Sequence, residues 1–178
     1  MASEYSLYRK IQVTLEIAKS VQIGSWSELR AEILSNRPPN FLTKRYDAEH
    51  DTVVQDISER SVKKTVAICR ALQLVDETGA LTSPGRQSLR KAAFDRVIAE
   101  QIHVLLEAKG VRVSLLNEIV ARSLQSTPVT MPTALELWQQ SAGEMSLMLF
   151  SQMLTLLAQA GGAESSQRKV YLHFGKRV

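Results

Sequence analysis

Cysteine is almost absent from this chain. One cysteine, Cys69, among 178 residues cannot form an intrachain disulfide, and its place on the apolar side of a predicted helix makes it an inert core thiol. No apolar run approaches the roughly 18 residues that a membrane span needs. The start, MASEYSLYRK, has no basic segment followed by an apolar one. These absences predict a soluble, cytoplasmic protein with no membrane partner. His50, His103 and His173 are the only histidines and lie far apart, with no Cys-x-x-Cys, His-Glu-x-x-His or Asp-rich loop beside them, so no metal is expected. Gly110, Gly143, Gly161 and Gly162 open no phosphate loop, and there is no Gly-x-Ser-x-Gly elbow. The chain is therefore expected to be no enzyme and to carry no cofactor. Overwhelming basic charge is missing too: 22 basic and 18 acidic residues leave +4. That admits nucleic acid as a partner only through a local cluster.

What is present centres on Asp56 to Leu89. Asp56 or Ser58 can cap a helix start, and Asp56 with Glu59 has capping-box spacing. The helix is predicted to run to about Leu72. On a helical wheel Val62, Thr65, Val66, Ile68, Cys69 and Leu72 share one side, and Arg60, Lys63, Lys64, Ala67, Arg70 and Ala71 the other. One side is core and the other cationic. Leu74-Val75 then reads as a short strand, Glu77-Thr78-Gly79 as a turn, Ala80 to Thr82 as a return strand and Ser83-Pro84 as a new helix start.

At these residues the chain resembles the winged helix-turn-helix superfamily of nucleic-acid-binding domains. The pattern is Ser61-Val62, Val66, Cys69, Leu74-Val75 and Leu81-Thr82, followed by Gly85-Arg86. Two departures stand out. Gln73 occupies the helix end where many members carry glycine, and Asp76 and Glu77 flank the wing where relatives that grip DNA often carry Arg or Lys.

Upstream, Leu7, Ile11, Leu15 and Ala18 mark an amphipathic helix from Glu4 to Val21. Gly24 breaks it, and Ser25 with Glu28 opens a second helix whose end Trp26 is expected to plug. Arg37-Pro38-Pro39-Asn40 stops that helix. The run to Asp47 reads as a loop or irregular insertion, and Ala48 to Asp56 as a short helix. After Gly85 nothing forbids helix to Lys109, so a long connector is expected.

A repeat follows. Phe94, Ile98, Ile102 and Leu105 stand 87 residues after Leu7, Ile11, Leu15 and Ala18, and Ser114 and Leu116 stand 87 after Ser27 and Leu29. An interval of 88 puts Phe150, Leu154, Leu157 and Gly161 on Val62, Val66, Cys69 and Gln73. Ser126 to Pro132 reads as a break, Pro132 to Ser141 as an extra helix bearing Trp138, and Ala163 to Phe174 as a second hairpin. The expected fold is mainly α with small β-hairpin wings, a tandem winged helix-turn-helix of units 1–92 and 93–178.

The resemblance implies that the first recognition helix enters the major groove. The candidate nucleic-acid contacts are Arg60, Ser61, Lys63, Lys64, Ala67 and Arg70, joined by Lys44 and Arg45 in the insertion and by Arg86 and Arg90 after the wing. The aligned positions of the second helix are Ser151, Gln152, Thr155 and Ala158, with no cation. Together with Met148 and Leu156 they suggest an interface, and Met148, Gln152, Thr155 and Leu156 are its candidate residues. Two functions fit. One is a DNA-binding regulator or accessory factor of a DNA-handling system, contacting double-stranded DNA through its first unit and a homodimer or protein partner through its second. The other is a non-enzymatic adaptor similar to the tandem winged-helix subunits of chromosome-organising complexes.

Overall fold

A computed structural model describes residues 6–111 and 143–160, with residues 129–130, 139 and 169–170 between and beyond them. The chain divides into two compact units, Ser3–Leu89 and one beginning at Arg90.

In the first unit, α1 (Leu7–Ser20) starts where the Ser6 hydroxyl accepts the Arg9 N–H, and it buries Ile11, Thr14, Leu15 and Ala18. Helix α2 (Trp26–Asn36) starts at Ser25, whose hydroxyl accepts the Glu28 N–H. The Glu28 carboxylate turns back to the Gly24 N–H at 2.7 Å, so the start is braced reciprocally. Leu29 and Ile33 are its buried residues. The third helix, α3 (Glu59–Ala71), is capped by Ser58 rather than Asp56 and buries Val62, Thr65, Val66, Ile68 and Cys69. It packs on both α1 and α2.

The end of α3 absorbs the missing glycine. Gln73 takes the left-handed conformation itself, at φ 53°. Its N–H reaches the Arg70 carbonyl at 2.7 Å and the Leu74 N–H reaches that of Cys69 at 2.9 Å, the paired bonds of a Schellman ending. The cost is the steric strain of a side chain in that region. The hairpin that follows is tight, with one bridge between Val75 and Leu81 and a turn at Asp76–Gly79 closed by a 3.0 Å bond from the Gly79 N–H. Gly79 sits at φ 81°, and a Cβ there would fall 2.8 Å from the Ile23 side chain.

Two expectations fail here. The segment between α2 and α3 is neither an irregular loop nor a short helix. After one 3-10 turn (Pro39–Phe41), it forms an antiparallel hairpin of β1 (Leu42–Asp47) and β2 (Thr52–Ile57), in register from Leu42 opposite Ile57 to Asp47 opposite Thr52. Thr52, Val53 and Val54 are branched at Cβ and favour strand over helix. Nor is the connector continuous. Helix α4 (Ser83–Ser88) ends within two turns, and α5 (Phe94–Ala108) begins after a break in which Ala92 is left-handed, at φ 59°.

In the second unit α5 packs on α6 (Leu147–Ala160), and the Glu144 N–H donates to the Lys109 carbonyl just beyond α5. Strand β3 (Val129–Thr130) pairs antiparallel with β4 (Lys169–Val170). The stretch read as a break thus contributes a strand. The expected helix Pro132–Ser141, with Trp138, and the rest of the hairpin Ala163–Phe174 lie outside the described residues. Among the described residues no helix is long and apolar enough to cross a membrane.

Candidate nucleic-acid interface

The outer face of α3 is set by the inward commitment of its apolar residues. With Val62, Val66 and Cys69 buried, helical geometry leaves Arg60, Lys63, Lys64 and Ala67 exposed. Arg60 and Lys63 join Arg30 of α2 around an open cleft of about 490 Å³ between the two helices, with Ala31, Leu34 and Val62 among its apolar lining. Glu59 is the one carboxylate in that lining. Among the described residues Arg60, Lys63 and Lys64 form no ion pair.

Lys10 brings a further cation from α1. Its Nζ lies 2.8 Å from the Ser61 Oγ and 5.7 Å from the centre of the Phe41 ring. Burial, and then the like charge of Lys64, push its pKa below the usual lysine value. Ser61 is accordingly turned toward α1: its hydroxyl accepts from Lys10, and its position on the helix does not make it a free contact.

Arg70 departs from the expected role most. Its guanidinium stacks over the Trp26 ring at 4.7 Å and lies 3.4 Å from the Glu77 carboxylate. The Trp26 indole N–H donates to the Glu77 carbonyl. Trp26 therefore does not close its own helix end; it joins the start of α2, the last turn of α3 and the Asp76–Gly79 turn. Arg70 is the cation of that cluster, and its charge is offset within the fold.

The acidic residues of that turn have local work. The Asp76 carboxylate accepts from the Thr78 N–H and hydroxyl and from the Ala80 N–H at 2.8, 2.7 and 3.2 Å. These bonds hold its carboxyl below the usual range. Arg86 is exposed but gives one N–H to the Leu81 carbonyl at 2.5 Å. Arg90 is exposed and belongs to the second unit.

Lys44 and Arg45 are exposed on β1. As neighbours in a strand they point to opposite faces, so one flat surface cannot take both. At the tip of this hairpin the ligand atoms of Asp47, Glu49 and His50 lie within 4.8 Å of one another. His50 and Asp47 already satisfy each other at 2.8 Å, which lowers the Asp47 pKa.

On α6, Met148 is 68% exposed, while Gln152 and Thr155 are half-buried. Leu156 is fully buried and is not a surface residue. It lies 88 residues after Ile68, itself buried on α3, so the same helical phase carries it into the core.

Two contributors escaped sequence reasoning, Arg30 and Lys10. Neither lies in the α3 segment, and only the packing of α1 and α2 on α3 brings them near it. No known protein family matches this chain, and no curated protein or solved structure is significantly similar to it.

Proposed function

We propose that the first unit is a winged-helix domain that binds double-stranded DNA through the N-terminal half of α3. The observation that carries this reading is the set of three exposed cations, Arg60, Lys63 and Lys64, with no ion-pairing carboxylate among the described residues. A cationic face left uncompensated costs self-repulsion, which a polyanion relieves. Ala67, small and exposed on the same face, lets the helix approach a groove closely. The tight hairpin after α3 has the place of a wing, with its acidic residues committed to its own turn and to Arg70.

The second unit is read as a divergent copy. Helix α5 begins 87 residues after α1 and α6 begins 88 after α3. All five buried positions of α3 fall on buried positions of α6: Phe150, Met153, Leu154, Leu156 and Leu157. The contact pairs correspond too, α1 with α3 and α5 with α6. Without cations on its outer face, α6 is assigned to protein contact or to structure.

The adaptor reading keeps one specific support, the internal neutralisation of Arg70. Salt dependence separates the two readings. Three phosphate contacts give a slope of log K on log salt of about −2.7, from about 0.9 per contact. Lys63→Ala with Lys64→Ala is expected to reduce its size by about 1.8. Arg70→Ala is expected to leave it unchanged. No measurable duplex binding by the parent at low salt would leave the adaptor.

A further inference from the structure

The cleft between α2 and α3 has an apolar floor and a cationic rim. Its α2 wall is the stripe Ser27, Arg30, Ala31 and Leu34, and its α3 wall is Glu59, Val62 and Lys63 with Arg60 beside them, all at helical spacing. From Ser27 to Leu34 it runs about 10 Å, two turns of helix, at about 1.5 Å per residue. On the floor Ala31 is exposed and Leu34 half-buried. Among the described residues the Arg30 guanidinium meets only the Ser27 hydroxyl, at 3.4 Å, and none of Arg30, Arg60 and Lys63 forms an ion pair. Glu59 stands in the first turn of α3, where the helix dipole favours a carboxylate. Three cations therefore face one acid across an apolar strip.

Duplex DNA can use that rim but not that floor, because its phosphates are hydrated anions on a convex rod too wide to enter so short a groove. A small molecule would be poorly held, since small-molecule sites enclose about 70–90% of their ligand and this cleft is open. A protein helix can fill both. We infer that the α2/α3 groove takes a short acidic amphipathic helix of a partner protein. Its apolar side chains, three or four residues apart, lie along Ala31, Leu34 and Val62. Carboxylates on its two flanks meet Arg30 on one wall and Arg60 and Lys63 on the other. The small Ala31 side chain lets the incoming helix approach closely. Arg60 and Lys63 also belong to the proposed DNA face, whereas Arg30, Ala31 and Leu34 do not. The inference does not rest on DNA binding and is read without DNA.

The test is fluorescence anisotropy of the full chain with three labelled synthetic peptides of about 14 residues. The first carries leucine at every third or fourth position with glutamate on both flanks; the second replaces each glutamate by glutamine, and the third each leucine by alanine. The first is expected to bind with a micromolar dissociation constant, and the other two at least about tenfold more weakly. Arg30→Glu and Ala31→Glu should each weaken binding of the first peptide at least about tenfold. Lys64→Ala, outside the groove, should change it less than about twofold. Neither Arg30 nor Ala31 is buried, and unchanged dichroism serves as the folding control. No binding of the first peptide, equal binding of either control peptide, or indifference to both groove variants would overturn the inference. So would a parent dimer that Ala31→Glu dissolves, which would give the groove to a second copy, or a short duplex that alone binds and is lost with Arg30→Glu and Ala31→Glu. Failure of the parent to bind duplex would remove the DNA reading and leave the peptide result as it stands.

Discussion

Gly85 lies inside α4, where alanine should be the better residue by about 1 kcal/mol on helix propensity alone. The structure predicts the opposite sign. A Cβ at this position would fall 2.0 Å from the Leu74 carbonyl oxygen and 3.0 Å from its carbon, so backbone must yield by more than an ångström. It cannot yield freely. The same Leu74 oxygen accepts the Thr82 N–H at 3.1 Å. The Thr82 hydroxyl is tied to the Gln73 carbonyl at 2.6 Å and accepts the Gly85 N–H at 3.1 Å. Moving α4 away loosens these bonds, at about 1 kcal/mol each, and parts the hairpin at Val75 and Leu81. Overpacking adds about 1–3 kcal/mol. After subtracting the propensity gain, Gly85→Ala is expected to lose about 3–5 kcal/mol. Urea unfolding of the parent and the variant measures it: the midpoint should fall with the slope unchanged. A variant as stable as the parent would refute the close approach of α4 to the end of α3.

Two further predictions concern single groups. Burial pushes the Cys69 thiol pKa up to about 12, so thiol reagents at neutral pH should label the chain only as fast as α3 opens, with full labelling in denaturant. Asp76 has a depressed carboxyl pKa, so its contribution to stability is present above the usual carboxylate pKa and is lost as pH falls through its folded value. Asp76→Asn keeps an acceptor oxygen but not the charge. It should flatten the acid limb of thermal midpoint against pH, and an identical acid limb would show that the turn does not sense that carboxylate.

The helices were legible where a cap and a buried stripe coincide. Ser25, Ser58 and the apolar phase of α3 needed only local geometry. The β1–β2 hairpin was not legible, because period-two alternation records a strand with one buried face, and most of β1 and β2 is exposed on both faces. Only the branched Thr52-Val53-Val54 run hinted at it. The cationic face was partly legible. Lys63 and Lys64 follow from the wheel, but the partners of Arg70 and Ser61 are Trp26 and Lys10, 44 and 51 positions distant in the chain, and no wheel contains them. Gln73 is the converse case: it stood out in the sequence as a departure from glycine, and the backbone adopts the left-handed turn anyway because the two paired bonds at the end of α3 require it.

The way the β1–β2 hairpin joins its domain has a consequence for the history and engineering of the chain. The Ser58 N–H donates to the Phe41 carbonyl at 3.0 Å, so the residues flanking the hairpin already touch. Phe41 is buried and Ser58 caps α3, and both anchors belong to the three-helix body. Everything between them is a self-paired excursion whose closure is local and entropically inexpensive. The hairpin can therefore lengthen, shorten or vanish from a descendant without redrawing the helices, which makes this junction a natural acceptor for a foreign peptide.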